Sequence, residues 1–159
     1  MEKYFDIHPE FIFFGIRIFI SLIIGLIVGI ERTINNHYAG IKTLVFVSIG
    51  SCLFASLSFY LKDIYPGSDP TRIIGQIVTG IGFLGAGTIV YNNDKVKGLT
   101  SSAVIWTVCS LGVLVGSGLF LVPIATSILL VIIMSILKWI EKKLERFDKQ
   151  KTKDNIDLK

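Results

Sequence analysis

The apolar residues of this chain fall into five long blocks that are separated by short polar stretches. Each block has 17 to 20 residues, close to the roughly 20 apolar residues that a membrane-spanning helix needs. Within the blocks the apolar positions run together instead of alternating, which favours buried or lipid-facing helices over strands. The blocks are Phe11–Ile30, Thr43–Leu61, Ile73–Val90, Leu99–Val115 and Leu119–Leu137. The pattern predicts an all-α polytopic membrane protein with five transmembrane helices in a compact bundle.

The composition agrees with this class. Of 159 residues, 52% are hydrophobic and only 18% are charged, where a soluble domain has about a quarter charged residues. The mean hydropathy is +0.67. We expect residues 1–137 to form one transmembrane domain, which leaves little chain for a separate soluble domain. The first block has an acidic N-terminal flank and no small-residue cleavage site after it, so we do not expect a removable signal peptide.

The Lys and Arg residues that flank the blocks predict the orientation. With five crossings, the first loop, the third loop and the C-terminal tail share one side and carry twelve Lys and Arg residues. The N-terminal flank and the second loop share the other side and carry three. We therefore expect the N-terminus outside the cell and the C-terminus in the cytoplasm.

Residues 138–159 form a basic tail. Ile140, Leu144 and Phe147 recur at helical spacing with charged residues between them, which predicts an amphipathic helix at the cytoplasmic surface. Such a helix would bind anionic lipid headgroups, or it would be a solvated segment that only sets the topology. We expect Thr152–Lys159 to have no regular structure, because it is polar.

The third block is unusually rich in glycine. An interior glycine costs a water-soluble helix about 1 kcal/mol relative to alanine. In a membrane, glycine instead lets two helices approach closely. We expect close packing towards spans one and four, where GxxxG pairs occur, and we expect Trp106 to pack on these glycines. The candidate packing glycines are Gly25, Gly29, Gly75, Gly80, Gly82, Gly85, Gly87, Gly112 and Gly116.

One glycine pattern resembles a nucleotide-binding fingerprint and is rejected. Residues 80–85 match GxGxxG, but that motif needs a preceding strand and an acidic residue about twenty positions later. Here it lies inside an apolar block, and position 105 is isoleucine.

Polar residues at the outer end of the predicted bundle form a first candidate site. Arg17 lies about 9 Å into the first span, where it either reaches outward to the headgroups or faces inward and pairs with an acid. Asp69 is a helix N-cap before Pro70 and is the expected partner of Arg17 or Arg72. Gln76, one turn after Arg72, would hydrogen-bond a neighbouring helix or line a wet cavity.

A second candidate site lies at the inner end. Glu31 and Arg32 end the first span, Lys42 opens the second, and Asp94 and Lys97 lie in the third loop. They are interface anchors and ion pairs, or they form an inner mouth or docking surface. Because no nucleophile–base–acid arrangement and no metal-ligand spacing is visible, we expect neither an enzyme nor a bound cofactor, and whether Mg²⁺ binds stays open.

At these residues the chain resembles the MgtC/SapB family of bacterial membrane proteins. The matching stretches are GLIVGIER (25–32), AGIKTLV (39–45), DPTRIIGQIVTGIGFLGAG (69–87) and VKGLTSSAVIWTVCSLGVLVGSG (96–118). The resemblance implies a five-helix inner-membrane domain with a cytoplasmic C-terminus, a role in growth under magnesium limitation and in virulence, and regulation of the F-type ATP synthase in some members.

Two departures limit what the resemblance implies. Lys42 stands where the family usually has arginine, and lysine lacks the bidentate geometry of a guanidinium. Longer MgtC members carry a soluble C-terminal domain, and here only a basic tail follows the fifth block. The chain therefore resembles the short, SapB-like form or a truncation, and functions of that domain do not carry over.

Three functions remain open. The first is a non-enzymatic membrane protein that regulates ion or energy homeostasis by binding membrane partners through its helices. The second is a transporter or channel for Mg²⁺ or another cation. The third is a structural homo-oligomer with the glycines at the subunit contact. Nucleic acid is not an expected partner of any of them.

Overall fold

The computed structural model describes the backbone of residues 9–92 and 94–157, and the side chains of residues 12–92 and 94–147. Within these ranges the chain forms five helices and one short hairpin. The elements are α1 (Pro9–Ile34), α2 (Ile41–Ile64), α3 (Pro70–Gly87), β1 (Val90–Asn92), β2 (Lys95–Lys97), α4 (Leu99–Gly116) and α5 (Leu121–Asp157).

Four of these helices are long and apolar enough to cross a membrane, which makes the chain an all-α membrane protein as expected. The four segments are Ile12–Ile34, Ile41–Ile64, Leu99–Gly116 and Leu121–Phe147. The third helix is not among them. It has 18 residues, but Arg72, Gln76 and its glycines lower its hydropathy.

Helices α2 and α4 form the centre of the bundle, and their buried faces carry most of the core. Leu44, Val47, Val104 and Val108 belong to one buried cluster, together with Val28 of α1. A smaller cluster towards the other end contains Ile24, Cys52, Leu111 and Val115. Helix α5 lies at the edge against α1 and α4, and most of its apolar residues are exposed.

Glycines allow the central helices to approach closely. A Cβ atom built on Gly25 would lie 2.6 Å from the Cα of Val45, and one on Gly29 would lie 2.7 Å from the Cα of Ile41. Helix α4 approaches α2 in the same way, because a Cβ on Gly116 would lie 2.5 Å from the carbonyl oxygen of Cys52. These glycines therefore allow backbone contact between α1 and α2 and between α2 and α4.

Helix α3 lies against α2 and α4, so the expectation that spans one, three and four meet is wrong in placing α3 beside α1. Its start is capped by Asp69, whose Oδ1 accepts hydrogen bonds from the Thr71 N–H at 2.9 Å and the Thr71 hydroxyl at 2.7 Å. The hydroxyl of Ser58 at the end of α2 donates to the carbonyl oxygen of Pro70 at 2.7 Å.

The third helix ends at Gly87, three residues before the predicted boundary, and a hairpin follows. Strands β1 and β2 pair antiparallel with Val90 opposite Lys97. Gly98 then starts α4 with a φ of +90°. At that angle a side chain is strained, and a Cβ there would overlap the carbonyl oxygen of Thr88.

The C-terminal tail continues α5 without a break. The helix extends past Leu137 to Asp157, so the expectation that Thr152–Lys159 lacks regular structure is wrong for residues 152–157. Residues 158 and 159 lie outside the described part of the chain.

Candidate functional site

A buried arginine is the centre of the inner site. Arg32, in the last turn of α1, has only 2% of its side chain exposed. Its Nη2 donates a hydrogen bond to the Ser101 hydroxyl on α4 at 2.8 Å, and its Nη1 lies 4.0 Å from the sulfur of Met134 on α5. Its Nε has no hydrogen-bond partner among the described residues. The guanidinium is therefore enclosed between three helices, where its two direct contacts are neutral and the Glu31 carboxylate is the nearby opposite charge.

A second set of polar contacts lies beside Arg32. The Asn35 Nδ2 donates to the Glu31 Oε1 at 2.6 Å, and Lys138 of α5 donates from Nζ to the Asn35 Oδ1. The other Glu31 oxygen, Oε2, is buried and has no partner within the described residues. These bonds connect the inner end of α1 to α5. The hydrogen bond from Arg32 to Ser101 connects the same end of α1 to α4.

His37 follows α1 in the loop next to this site. Its pKa is lowered, first because partial burial disfavours the charged imidazolium, and then because Arg32 and Lys138 add positive charge nearby. Glu31 opposes the shift. Burial is thus the main cause of the lowered pKa of His37, and the charges around it add to the shift with a net positive effect.

The other predicted members of the inner cluster do not join Arg32. Lys42, Asp94 and Lys97 are all exposed. The carboxylate of Asp94 accepts a hydrogen bond from the Tyr91 hydroxyl at 2.9 Å within the hairpin. Of the five residues predicted for the inner cluster, only Glu31 and Arg32 belong to the buried site.

The predicted outer cluster is divided between separate places. Arg17 lies over the ring of Phe14, with 6.0 Å from Cζ to the centroid, and lines a pocket of about 330 Å³ with Tyr60 and Asp63. Asp69, which was the expected partner, does not line that pocket and caps α3 instead. Its pKa is lowered mainly by the two hydrogen bonds from Thr71.

Arg72 and Gln76 do share a site. Both line a groove of about 650 Å³ between α2 and α3, with Cys109 of α4 at its base. The rest of the lining is almost entirely apolar, including Phe46, Phe54 and Leu84. Neither Arg17 nor Asp69 lines it. The groove is thus mainly apolar, with one cation, one amide, the hydroxyl of Ser51 and the thiol of Cys109.

The glycines of α3 also differ from expectation. Gly85 packs against α4, where an added Cβ would lie 2.6 Å from the Ser102 hydroxyl. An added Cβ would meet nothing within 4 Å at Gly75, Gly80, Gly82 or Gly87, so these four glycines do not pack within the described chain. Trp106 is 54% exposed and does not cover them, contrary to the prediction.

Several residues of the two sites were not identified from the sequence. Ser101, Asn35, Met134 and Lys138 complete the surroundings of Arg32, and Asp63 lies near Arg17. The one available signal was Ser101, a polar residue in the first turn of an apolar span. Among the described residues no group of three His, Cys, Asp or Glu side chains could hold a metal ion.

Four apolar helices around a core of closely approaching backbones define a multi-pass α-helical membrane protein. Comparison with known sequences gives the family. The model of the MgtC family matches residues 18–143, and the chain belongs to that family. No solved structure gives a significant match.

Similar proteins occur in several bacteria. The chain is 33% identical over 135 residues to protein SapB of Bacillus subtilis (strain 168), covering 81% of this chain and 58% of SapB. It is 36% identical over 128 residues to YhiD, a proposed magnesium transporter of Escherichia coli (strain K12), covering 77% and 60%. It is 33% identical over 125 residues to protein MgtC of Brucella abortus (strain 2308), covering 79% and 51%. The chain thus spans between about half and three fifths of the length of these relatives.

Proposed function

We propose that this chain is a non-enzymatic protein of the bacterial inner membrane that acts in magnesium homeostasis by binding membrane partners through α3. The main observation in support is a stripe of small, exposed residues on the outward face of α3. Gly75, Thr79, Gly82 and Ala86 recur at intervals of four, three and four residues, so they lie in one stripe. All four are exposed. A stripe of small residues is the surface on which membrane helices pack closely.

The glycines of the stripe differ from those that pack inside this bundle. Gly25, Gly29, Gly112 and Gly116 each meet backbone or side-chain atoms of a neighbouring helix, whereas Gly75 and Gly82, like Gly15 on α1 and Gly50 on α2, meet none. Glycine in a helix without a close neighbour only weakens the helix. If a transmembrane helix of another protein packed on the stripe, these two glycines would allow a close approach of two backbones, as the packed glycines inside the bundle do.

The assignment to magnesium homeostasis comes from the relatives. One is described as a proposed magnesium transporter, and the family takes its name from MgtC. Because the chain spans about half to three fifths of these relatives, the activity of the longer proteins is proposed here only for the membrane part.

We further propose that α3 is a fifth span, with the N-terminus outside and the C-terminus in the cytoplasm. Helix α3 starts beside the end of α2, through the bond from Ser58 to Pro70, and its last turns pack at Gly85 against Ser102 at the start of α4. It therefore runs the length of its two neighbours. The excess of Lys and Arg lies at the end that contains Arg32 and the hairpin, which supports a cytoplasmic location for that end.

Site-specific photocrosslinking in native membranes tests partner binding. A photoreactive residue at Thr79, in the stripe, should capture a reproducible protein partner at native abundance. The same residue at Leu129, an exposed position on α5, is the matched control. A subunit of the F-type ATP synthase or a second copy of this chain would each identify the partner. Capture of lipid alone, or equal protein capture at both positions, would refute the proposal.

A cation transporter is the second candidate, and the description of YhiD favours it. The charge of the groove does not suit it, because Arg72 repels a cation and no carboxylate lines the groove. Magnesium uptake into liposomes that contain the purified protein, compared with Asp69→Ala and with empty vesicles, decides between the two. Equal magnesium leak in vesicles with the wild-type chain, with Asp69→Ala and without protein would exclude the transporter function.

A further inference from the structure

The groove between α2 and α3 has the shape and chemistry of a site for an amphiphile. Its volume of about 650 Å³ is in the range of ligand sites, and its walls are formed by apolar side chains that include Phe46, Phe54 and Ile77. The polar side chains of α3 in the groove, Arg72 and Gln76, both lie in its first two turns. The charged and amide groups of the groove are therefore at one end, and the rest is mainly apolar, with the Ser51 hydroxyl, which donates to the Val47 carbonyl oxygen, and the Cys109 thiol as the other polar side chains.

The polar end of the groove is suited to an anion. Arg72 carries five N–H donors that match phosphate oxygens, and Gln76 adds an amide one turn further along α3. The acid next to them in sequence, Asp69, lies near enough to interact with the charge of Arg72, but it uses Oδ1 to cap Thr71. Arg72 also lies in the first turn of α3, where the helix dipole favours negative charge.

The length of the groove corresponds to one leaflet. Its lining on α3 extends from Arg72 to Leu84, twelve residues or about 18 Å along the helix. The hydrocarbon core of a bilayer is about 30 Å thick, so the acyl chains of one leaflet extend about 15 Å. With Arg72 at headgroup depth, the apolar part of the groove lies beside the acyl chains.

We propose that this groove binds one anionic phospholipid, with its phosphate on Arg72 and Gln76 and an acyl chain between α2 and α3. The site is on a different face of α3 from the stripe of Gly75, Thr79, Gly82 and Ala86. It would be a specific lipid site at the outer end of the bundle, independent of the basic tail at the inner end.

Native mass spectrometry of the purified full chain tests the site. The probes are phosphatidylglycerol, phosphatidylcholine and diacylglycerol with the same acyl chains. We expect one tightly held phosphatidylglycerol per chain, weaker binding of phosphatidylcholine and the weakest binding of diacylglycerol, which has no phosphate. Arg72→Gln should lower the affinity for phosphatidylglycerol about tenfold or more, because a hydrogen bond to a charged group is lost. Lys62→Gln, at the same end of the bundle but outside the groove, should leave it unchanged.

A second pair of variants separates the groove from the stripe. Gly80 lines the groove, and a Cβ there meets nothing within 4 Å, so Gly80→Leu should fold and block the acyl chain. Gly75→Leu faces outward and should keep lipid binding. Arg72→Lys, which keeps the charge, should retain part of the affinity. Circular dichroism of Arg72→Gln shows whether that variant is still folded when it loses lipid.

Two results would overturn the site. The first is equal binding of the three lipids, or unchanged binding in both Arg72→Gln and Gly80→Leu. The second is a change in the number of protein copies in Gly80→Leu without a change in bound lipid, which would assign the groove to a second copy of the chain. Partner capture at Thr79 is measured separately, so failure here leaves that proposal standing.

Discussion

Arg32 on α1 donates a hydrogen bond from Nη2 to the hydroxyl of Ser101 on α4 at 2.8 Å, inside the bundle. A buried charge usually needs an opposite charge, because desolvation costs several kcal/mol. Here the contacts of the guanidinium are a hydroxyl and a thioether. Its place in the last turn of α1, where the helix dipole is negative, offsets part of that cost.

Loss of the Ser101 hydroxyl should therefore destabilise the fold. In Ser101→Ala, Nη2 of Arg32 loses its partner while still buried, and we expect a loss of about 1–3 kcal/mol in the free energy of unfolding. Chemical unfolding in micelles, followed by circular dichroism, measures it. Ser135→Ala is the control, because Ser135 is exposed and bonds only within α5. In an Arg32→Met background the Ser101→Ala change should cost little, and an equal cost in both backgrounds would exclude the coupling.

The contact between α1 and α2 makes Gly25 sensitive to substitution. In Gly25→Ala the new Cβ would lie 2.6 Å from the Cα of Val45, so a backbone must move, and we expect a loss of about 1–3 kcal/mol. Gly82→Ala meets open space and should be neutral or stabilising by up to about 1 kcal/mol. Thermal unfolding in detergent compares the two. Similar losses in both variants would contradict the difference in packing.

His37 should titrate below its usual value of about 6.5, since burial and the charges of Arg32 and Lys138 lower its pKa. A lowered pKa means that the unfolded chain binds the proton more readily. The contribution of His37 to stability is then complete above about pH 6.5 and is lost as the pH falls through the lower, folded pKa. An imidazole NMR titration in micelles, with His8 replaced by Gln, measures the midpoint. A midpoint at or above 6.5 would show that burial and the neighbouring charges do not lower the pKa of His37.

Cysteine accessibility tests whether α3 crosses the membrane. In a background with Cys52 and Cys109 replaced by Ala, Ser68→Cys lies in the loop before α3 and Lys95→Cys lies in the hairpin after it. A membrane-impermeant maleimide should label the first in intact cells and the second only after permeabilisation. Lys142→Cys should behave as Lys95→Cys does. Labelling of Ser68→Cys and Lys95→Cys from the same side would exclude a spanning α3.

The two tryptophans should report different depths. Trp106 is half exposed near the middle of α4, so lipids brominated deep in their acyl chains should quench it most. Trp139 lies under the Lys143 ammonium, 5.2 Å from the ring centroid, and should respond to shallow bromines. Trp139→Phe and Trp106→Phe isolate the two signals. Equal quenching at all depths for Trp106 would place it away from lipid.

Much of the architecture was predictable because it depends on hydropathy and caps. The five apolar blocks correspond to the five helices, and the Asp69–Pro70 start of α3 follows from local chemistry. The hairpin was not predicted, because its strands have three residues each and lie next to an apolar block. Hydropathy also did not predict how deeply Arg32 is buried, since a charge at the end of a span is usually solvated.

The candidate sites were less predictable, because they depend on which face of a helix is covered. A count of glycines does not show that Gly85 is packed while Gly82 is open. Asp69 was predicted to be the partner of Arg17 because both lie at the same end of the bundle. Its carboxylate instead accepts the hydrogen bonds that cap α3. Asp63, the next-to-last residue of α2, shares the pocket of Arg17 instead.

Because α5 is one unbroken helix, its length sets how far its C-terminal end can lie from the membrane. Its 37 residues extend about 55 Å, against a hydrocarbon core of about 30 Å, so if α5 stands upright its last turns lie roughly 25 Å beyond that core. Charge interactions in physiological salt decay over about 8 Å. An upright α5 is therefore a spacer that keeps its own end electrically isolated from the lipid headgroups. A tilt of α5 towards the membrane plane would bring its charged end back within reach of the lipid headgroups. The tilt angle of α5 would then set how strongly this end is attracted to the membrane surface.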